Sequence, residues 1–122
     1  MNVRIEGLDE LIKALEKAQT RVPDAKKKFL AKAAGVLRSR TMKNTPVDTG
    51  LLRGSWKQTP VKENSVTVFN NVYYGIFVEK GHRTRGGRGF VAGRHMLKKA
   101  VDTTKANFAH DGQAILRSIF NG

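Results

Sequence analysis

Phe29-Leu30-Ala31-Lys32-Ala33-Ala34-Gly35-Val36-Leu37 is the stretch that decides the fold. Phe29, Leu30, Ala33, Ala34 and Leu37 recur at the three- and four-residue spacing that stacks side chains on one helical face, so they read as the buried stripe of a long helix. Upstream, Pro23 suits the first turn of that helix, where a missing N–H costs nothing and a fixed φ is already helical. Downstream the helix runs toward Thr41 or Asn44 and stops before Pro46, because a residue preceding proline is biased away from the helical region. Lys26, Lys27, Lys28, Lys32, Arg38, Arg40 and Lys43 fall on the other side of the helix. That is the pattern of a solvated face, with a binding face as the alternative.

Working outward toward the start, Leu8, Leu11, Ile12 and Leu15 follow i, i+3, i+4, i+7, and Asp9 and Glu10 sit where a helix dipole favours carboxylates. They predict a short amphipathic helix, placed in an N-terminal helical arm over residues 1–22 ahead of a single domain over 23–122. Toward the end, Pro46, Asp48 and Gly50 form a structural turn. Leu51 to Val61 reads as extended, Lys62-Glu63-Asn64 as a turn, and Val66, Thr67, Val68 as a half-buried strand, which together make an antiparallel hairpin closed by Asn70-Asn71. Tyr74, Ile76, Phe77 and Val78 form an apolar block too short to classify by periodicity. Met96, Leu97, Ala100, Val101 and Phe108, then Ile115, Leu116, Ile119 and Phe120, keep helical spacing, and Asp111-Gly112 between them is a candidate kink dividing a core helix from a docking arm. The fold class that follows is α+β: a small antiparallel sheet from about Leu51 to Asn70, packed against the long helix and a C-terminal helix.

A length of 122 residues accommodates one hydrophobic core. Lys+Arg 23 against Asp+Glu 10 gives a net charge of +13, which attracts phosphates, acidic partners or anionic surfaces without distinguishing among them. With no cysteine, disulfides and thiolate metal sites are excluded. Met1 to Glu6 contains no apolar run of signal-peptide length, and no segment approaches the roughly 18 apolar residues of a membrane span, so a soluble, unexported chain is expected.

The chemistry-bearing residue types do not assemble into an enzyme. Asp48-Thr49-Gly50 is the triplet that holds the catalytic carboxylate of aspartic proteases, but it follows a proline and a helical pattern rather than ending an apolar strand in an all-β chain. Asp48 reads more simply as a turn residue. His82, His95 and His110 are dispersed, without the i, i+4 spacing of a metal site. Ser39, Ser55, Ser65 and Ser118 have no histidine and acid in a recognisable motif. Gly81-His82-Arg83-Thr84-Arg85-Gly86-Gly87-Arg88-Gly89 lacks the glycine-lysine-hydroxyl ending of a phosphate loop, so no cofactor is expected. What the basic glycine-rich loop 81–94 does offer is His82, Arg83, Arg85, Arg88 and Arg94 on a flexible backbone, suited to bidentate contact with phosphates or carboxylates. A solvated surface connection is the alternative. Trp56, Tyr73, Tyr74 and Phe77 could stack bases, but their place beside the expected sheet favours core packing.

Three segments, Thr45-Pro46-Val47-Asp48-Thr49-Gly50-Leu51-Leu52-Arg53-Gly54-Ser55, Tyr73-Tyr74-Gly75-Ile76-Phe77-Val78-Glu79-Lys80-Gly81-His82-Arg83 and Gly89-Phe90-Val91-Ala92-Gly93-Arg94-His95-Met96-Leu97, occur in an order that resembles the HK97 gp10-like family of tailed-phage neck and tail completion proteins. The resemblance extends over nearly the whole chain. It implies a short helix for Tyr74 to Val78. It also implies a non-enzymatic virion structural protein of the head–tail junction or tail completion region, made by a phage or a prophage. Such a subunit would assemble in the bacterial host cytoplasm as a homo-oligomeric ring around the DNA channel, with other phage neck and tail proteins as partners and no membrane. His82, Arg83, Arg85, Arg88 and Arg94 would then touch a neighbour or passing DNA. Two other classes compete: a stand-alone nucleic-acid-binding protein, favoured by charge but lacking a helix-turn-helix, zinc or RNA-binding motif, and a dimeric aspartic protease resting on one triplet.

Overall fold

The computed structural model describes residues 1–5, 22–47, 50–63, 65–84 and 86–121. The elements are β1 (Asn2–Ile5), α1 (Val22–Asn44), α2 (Gly50–Gly54), β2 (Lys57–Gln58), β3 (Val66–Phe69), α3 (Gly75–Lys80), β4 (Gly81–Arg83), β5 (Phe90–Ala92), α4 (Met96–Ala106) and α5 (Phe108–Asn121). The architecture is α+β, with small antiparallel sheets and a long helix, as the sequence predicts.

The stripe that opened the sequence reading forms the centre. Phe29, Leu30, Ala34 and Leu37 of α1 are buried, and α1 packs against α4, α5 and the sheet. Antiparallel strands in the order β1-β3-β2 make up the larger sheet, with Ile5 opposite Val66, Asn2 opposite Phe69 and Lys57 also opposite Phe69. On central β3, Val66 and Val68 are buried and the alternating residues are half-exposed, as the period of a one-sided strand requires. Met96, Leu97 and Ala100 of α4 complete the cluster, with Leu52 and Trp56 at one end. Burying side chains of this size stabilises the fold by roughly 1.5–3 kcal/mol each.

Three local readings are corrected. Asn2–Ile5, assigned to the helical arm 1–22, is a strand of the main sheet; its alternation of exposed Asn2 and Arg4 with half-buried Val3 and Ile5 is the strand period, and β3 supplies the hydrogen-bonding partner. The helix expected from Leu8 to Leu15 lies outside the described residues. Leu51 to Val61 is not continuously extended: α2 occupies its first residues and only Lys57–Gln58 is strand. Ser55 closes that helical turn locally, its N–H donating to the Leu52 carbonyl (3.2 Å) and its hydroxyl to the Leu51 carbonyl (2.6 Å). The C-terminal helix breaks at Asn107, not at Asp111-Gly112. The Asn107 side-chain amide and backbone N–H both donate to the Thr103 carbonyl (2.9 and 3.0 Å), while Gly112 sits inside α5 with ordinary van der Waals room toward the Phe29 ring. Nor is α5 a free arm, since Ile115 is buried and Phe108 meets Phe29 edge-on at 6.5 Å.

The basic side of α1 is mixed rather than simply solvated. Lys27, Lys28, Lys32 and Lys43 are exposed, but Lys26 is buried. Arg40 reaches across to Asp111 of α5 (2.7 Å) and to the Thr104 hydroxyl of α4 (3.1 Å). The guanidinium beside Asp111 holds its carboxyl below the usual value of 3.8.

A candidate partner-contact ribbon

The turn after α1 is fixed by a polar relay. Trp56 is almost wholly buried, and its indole N–H donates to the Thr45 hydroxyl (2.9 Å), which donates to the Thr41 carbonyl (2.8 Å). Buried Asn70 serves the same end of the sheet, where Lys57 lies opposite Phe69: its amide donates to the Leu52 carbonyl (2.8 Å) and its oxygen accepts from the Val72 N–H (2.9 Å). These bonds set the chain's course into α3. Pro46 is half-buried and Gly50 opens α2, while Asp48 lies outside the described residues. Gly50 does not adopt a positive φ.

The block Tyr74 to Val78 enters a short helix, as the resemblance implies, and α3 leads directly into β4. The loop expected over 81–94 is instead largely a two-stranded antiparallel ribbon, with Gly81 opposite Ala92, His82 opposite Val91 and Arg83 opposite Phe90. Thr84 ties its tip. The Thr84 N–H donates to the Gly89 carbonyl and its hydroxyl accepts from the Gly89 N–H, both at 2.9 Å, and Gly86 and Gly87 supply the positive φ angles of 90° and 73°. Pairing confers the order that glycine content alone hides.

At the root of the ribbon the backbone passes too close to α3 for any side chain. A Cβ on Gly93 would collide with the Glu79 carbonyl oxygen and lie 2.6 Å from the Lys80 carbonyl carbon, and one on Gly81 would lie 2.7 Å from the Gly93 nitrogen. Across this crossing the Arg94 N–H donates to the Val78 carbonyl (2.7 Å) and the His95 N–H to the Glu79 carbonyl (3.0 Å). Glu79 itself is buried, and its two carboxylate oxygens accept from the Leu97 and Lys98 N–H groups (2.9 and 3.1 Å). It therefore caps α4 from a distant element, satisfying two orphan donors at the positive end of the helix dipole. Sequence reasoning missed this role because a lone glutamate 18 and 19 residues upstream of the groups it caps carries no local capping pattern.

The site residues divide as follows. His82, Arg83, Arg88 and Arg94 are exposed, and Arg85 lies outside the described residues. Among the described residues, Arg83, Arg88 and Arg94 have no carboxylate partner. Arg83 and Phe90 share one face of the ribbon and His82 and Val91 the other, with the Phe77 ring edge-on to His82 at 6.4 Å. Phe77 and Phe90 are exposed, as is Tyr73, so the aromatic residues expected in the core split: Trp56 is buried, Tyr74 packs partly against the core, and Tyr73 and Phe77 face outward. The ribbon thus presents guanidinium groups beside uncovered apolar side chains, a surface suited to oxyanions and to protein. No group of three or more metal-ligating side chains comes together among the described residues, and no helix there is long and apolar enough to cross a membrane.

A family model described as "Bacteriophage HK97-gp10, putative tail-component" matches residues 9–81. The chain belongs to this HK97-gp10-like family of phage tail components. The matched span takes in α1, α2, both strands β2 and β3, and α3, and it ends at the first residue of the ribbon. The resemblance read from the sequence ran through Leu97; the match stops earlier, so Arg83 to Arg94 and both C-terminal helices lie beyond it. No curated protein and no solved structure matches the chain.

Proposed function

We propose that this HK97-gp10-like protein is a virion structural subunit of the head–tail junction or tail completion region, and that it works as a ring around the DNA channel. One observation carries the reading: a family of tail components, matched from α1 through α3, is joined here to an exposed ribbon on which Arg83, Arg88 and Arg94 have no carboxylate partner among the described residues. A small domain repeated about an axis closes into a collar when the rotation between neighbours closes. The body then builds the collar, and the ribbon is its contact element. Facing the channel, Arg83, Arg85 and Arg88 meet DNA phosphates without reading sequence; facing a neighbouring ring, they pair with its carboxylates. Other neck and tail proteins are the partners, and assembly takes place in the host cytoplasm.

The test replaces Arg83, Arg85 and Arg88 with alanine in the phage. The subunit is expected to fold, by circular dichroism, while the yield of infectious virions falls. Normal yield from the triple variant removes the ribbon from assembly. The net charge of +13 favours a second reading, a stand-alone nucleic-acid-binding protein. Closed rings in negative-stain images of the purified protein support the first reading, and duplex binding by a persistent monomer supports the second.

A further inference from the structure

A second basic surface lies away from the ribbon. An open groove of about 580 Å³ runs between α1 and α5, with Lys32, Arg38 and Lys43 along it and Val36, Ala114 and Ile115 contributing apolar wall. Lys32, Val36, Ser39 and Lys43 are three or four residues apart, so a single face of α1 supplies them. No acidic residue lines the groove among the described residues, and Arg40, which does, is already held by Asp111. Arg38 stands out. Its Nε is buried and without a hydrogen-bond acceptor, an arrangement that costs free energy until an acceptor arrives. The groove therefore asks for an occupant with carboxylates spaced along one side and apolar side chains along another.

The chain itself contains such a segment. Residues 6–17 hold four of its ten acidic residues, Glu6, Asp9, Glu10 and Glu16, against Lys13 and Lys17. They also hold Leu8, Leu11, Ile12 and Leu15 at the spacing of one helical face. The segment is thus net negative in a protein of net charge +13. We propose that residues 6–17 of one copy dock in the α1–α5 groove of the next, their carboxylates on Lys32, Arg38 and Lys43 and their leucines on Val36, Ala114 and Ile115. Such a contact is heterologous, groove to segment, which is the type that closes a ring. It also brings together two like-charged molecules that would otherwise repel. DNA fits the charge of the groove but makes no use of its apolar wall. The inference rests on the ring reading and names the surfaces that would join its subunits.

The experiment is charge reversal with rescue, read by sedimentation velocity of the purified full chain over a range of concentration and salt. Wild-type protein should self-associate, and less so as salt rises. The groove variant Lys32→Glu/Arg38→Glu/Lys43→Glu should weaken association by about tenfold or more. Adding Glu6→Lys, Asp9→Lys, Glu10→Lys and Glu16→Lys to it should restore association. Should the triple variant lose its circular dichroism spectrum, Lys32→Ala/Lys43→Ala, at two exposed positions, tests the same contact. Unchanged association of the groove variants, or failure of the combined variant to recover, overturns the proposal. So does loss of duplex-DNA retention with self-association intact, which would make the groove a DNA site. Rings that persist with a reversed groove sink this interface and leave the ring reading standing, whereas a wild-type chain that stays monomeric at every concentration sinks both.

Discussion

Glu79 shows how one side chain couples separate parts of the molecule. Its backbone carbonyl accepts from His95 and its carboxylate from Leu97 and Lys98, so a single residue of α3 terminates the ribbon and starts α4. Glu79→Ala leaves two helix N–H groups without their acceptors and is expected to destabilise the fold by about 1–2 kcal/mol. Glu79→Gln, which keeps one acceptor oxygen, should lose less. Urea denaturation of the two variants checks the order; equal losses would mean that the retained acceptor oxygen of Gln contributes nothing, and no loss in Glu79→Gln would mean that the carboxylate acts only through packing. None of this was legible beforehand, because the capping residue is near α4 only in the folded chain. Trp56 was legible: an indole beside an expected sheet reads as core, and its N–H found the Thr45 hydroxyl. The same reasoning fails for Phe77, because a six-residue helix has only one face to bury, and for Tyr73, which lies exposed in the turn before that helix.

At the scale of elements, α1 was readable because its apolar period persists over several turns, whereas α2, β1 and the ribbon are too short for period to show. What defines them is pairing. β1 is a strand because β3 lies beside it, and the glycine-rich segment is a ribbon because Arg83 and Phe90 face each other. The joint between α1 and α5 carries a pH dependence. Asp111 is held below its usual 3.8, first by the hydrogen bond from Arg40 and then by that group's charge, while partial burial works in the opposite direction. A depressed folded value means that the stabilisation is fully present above the unfolded pKa and is lost as pH falls below about 3.8 through the folded value. Thermal melts from pH 6 down to about pH 2 should therefore decline more steeply for the wild type than for Asp111→Asn. Parallel curves would mean that the pair adds nothing.

For the whole molecule, the sequence carries the family, the fold class and the sign of the charge, but not the arrangement of that charge. Arginines that look equivalent along the chain end in three settings: Arg40 in an internal ion pair, Arg38 in a groove, and Arg83 and Arg88 on a protruding ribbon. If the ribbon meets DNA, its removal has a measurable signature. The slope of log affinity against log salt for duplex DNA should flatten by about 0.9 for each lost phosphate contact, hence by up to roughly 3 in the triple alanine variant of Arg83, Arg85 and Arg88. An unchanged slope would assign the ribbon to a protein neighbour.

The glycine crossing at the root of the ribbon also has a mechanical consequence. Gly81 and Gly93 bring two backbones together with no side chain between them, and the Arg94 and His95 amides bolt that joint to α3. The projection is thus a cantilever clamped at its base, unable to swing on its own, and a load at its tip passes into α4 and from there into the long helix. Whatever pushes on the arginines pushes on the body of the subunit.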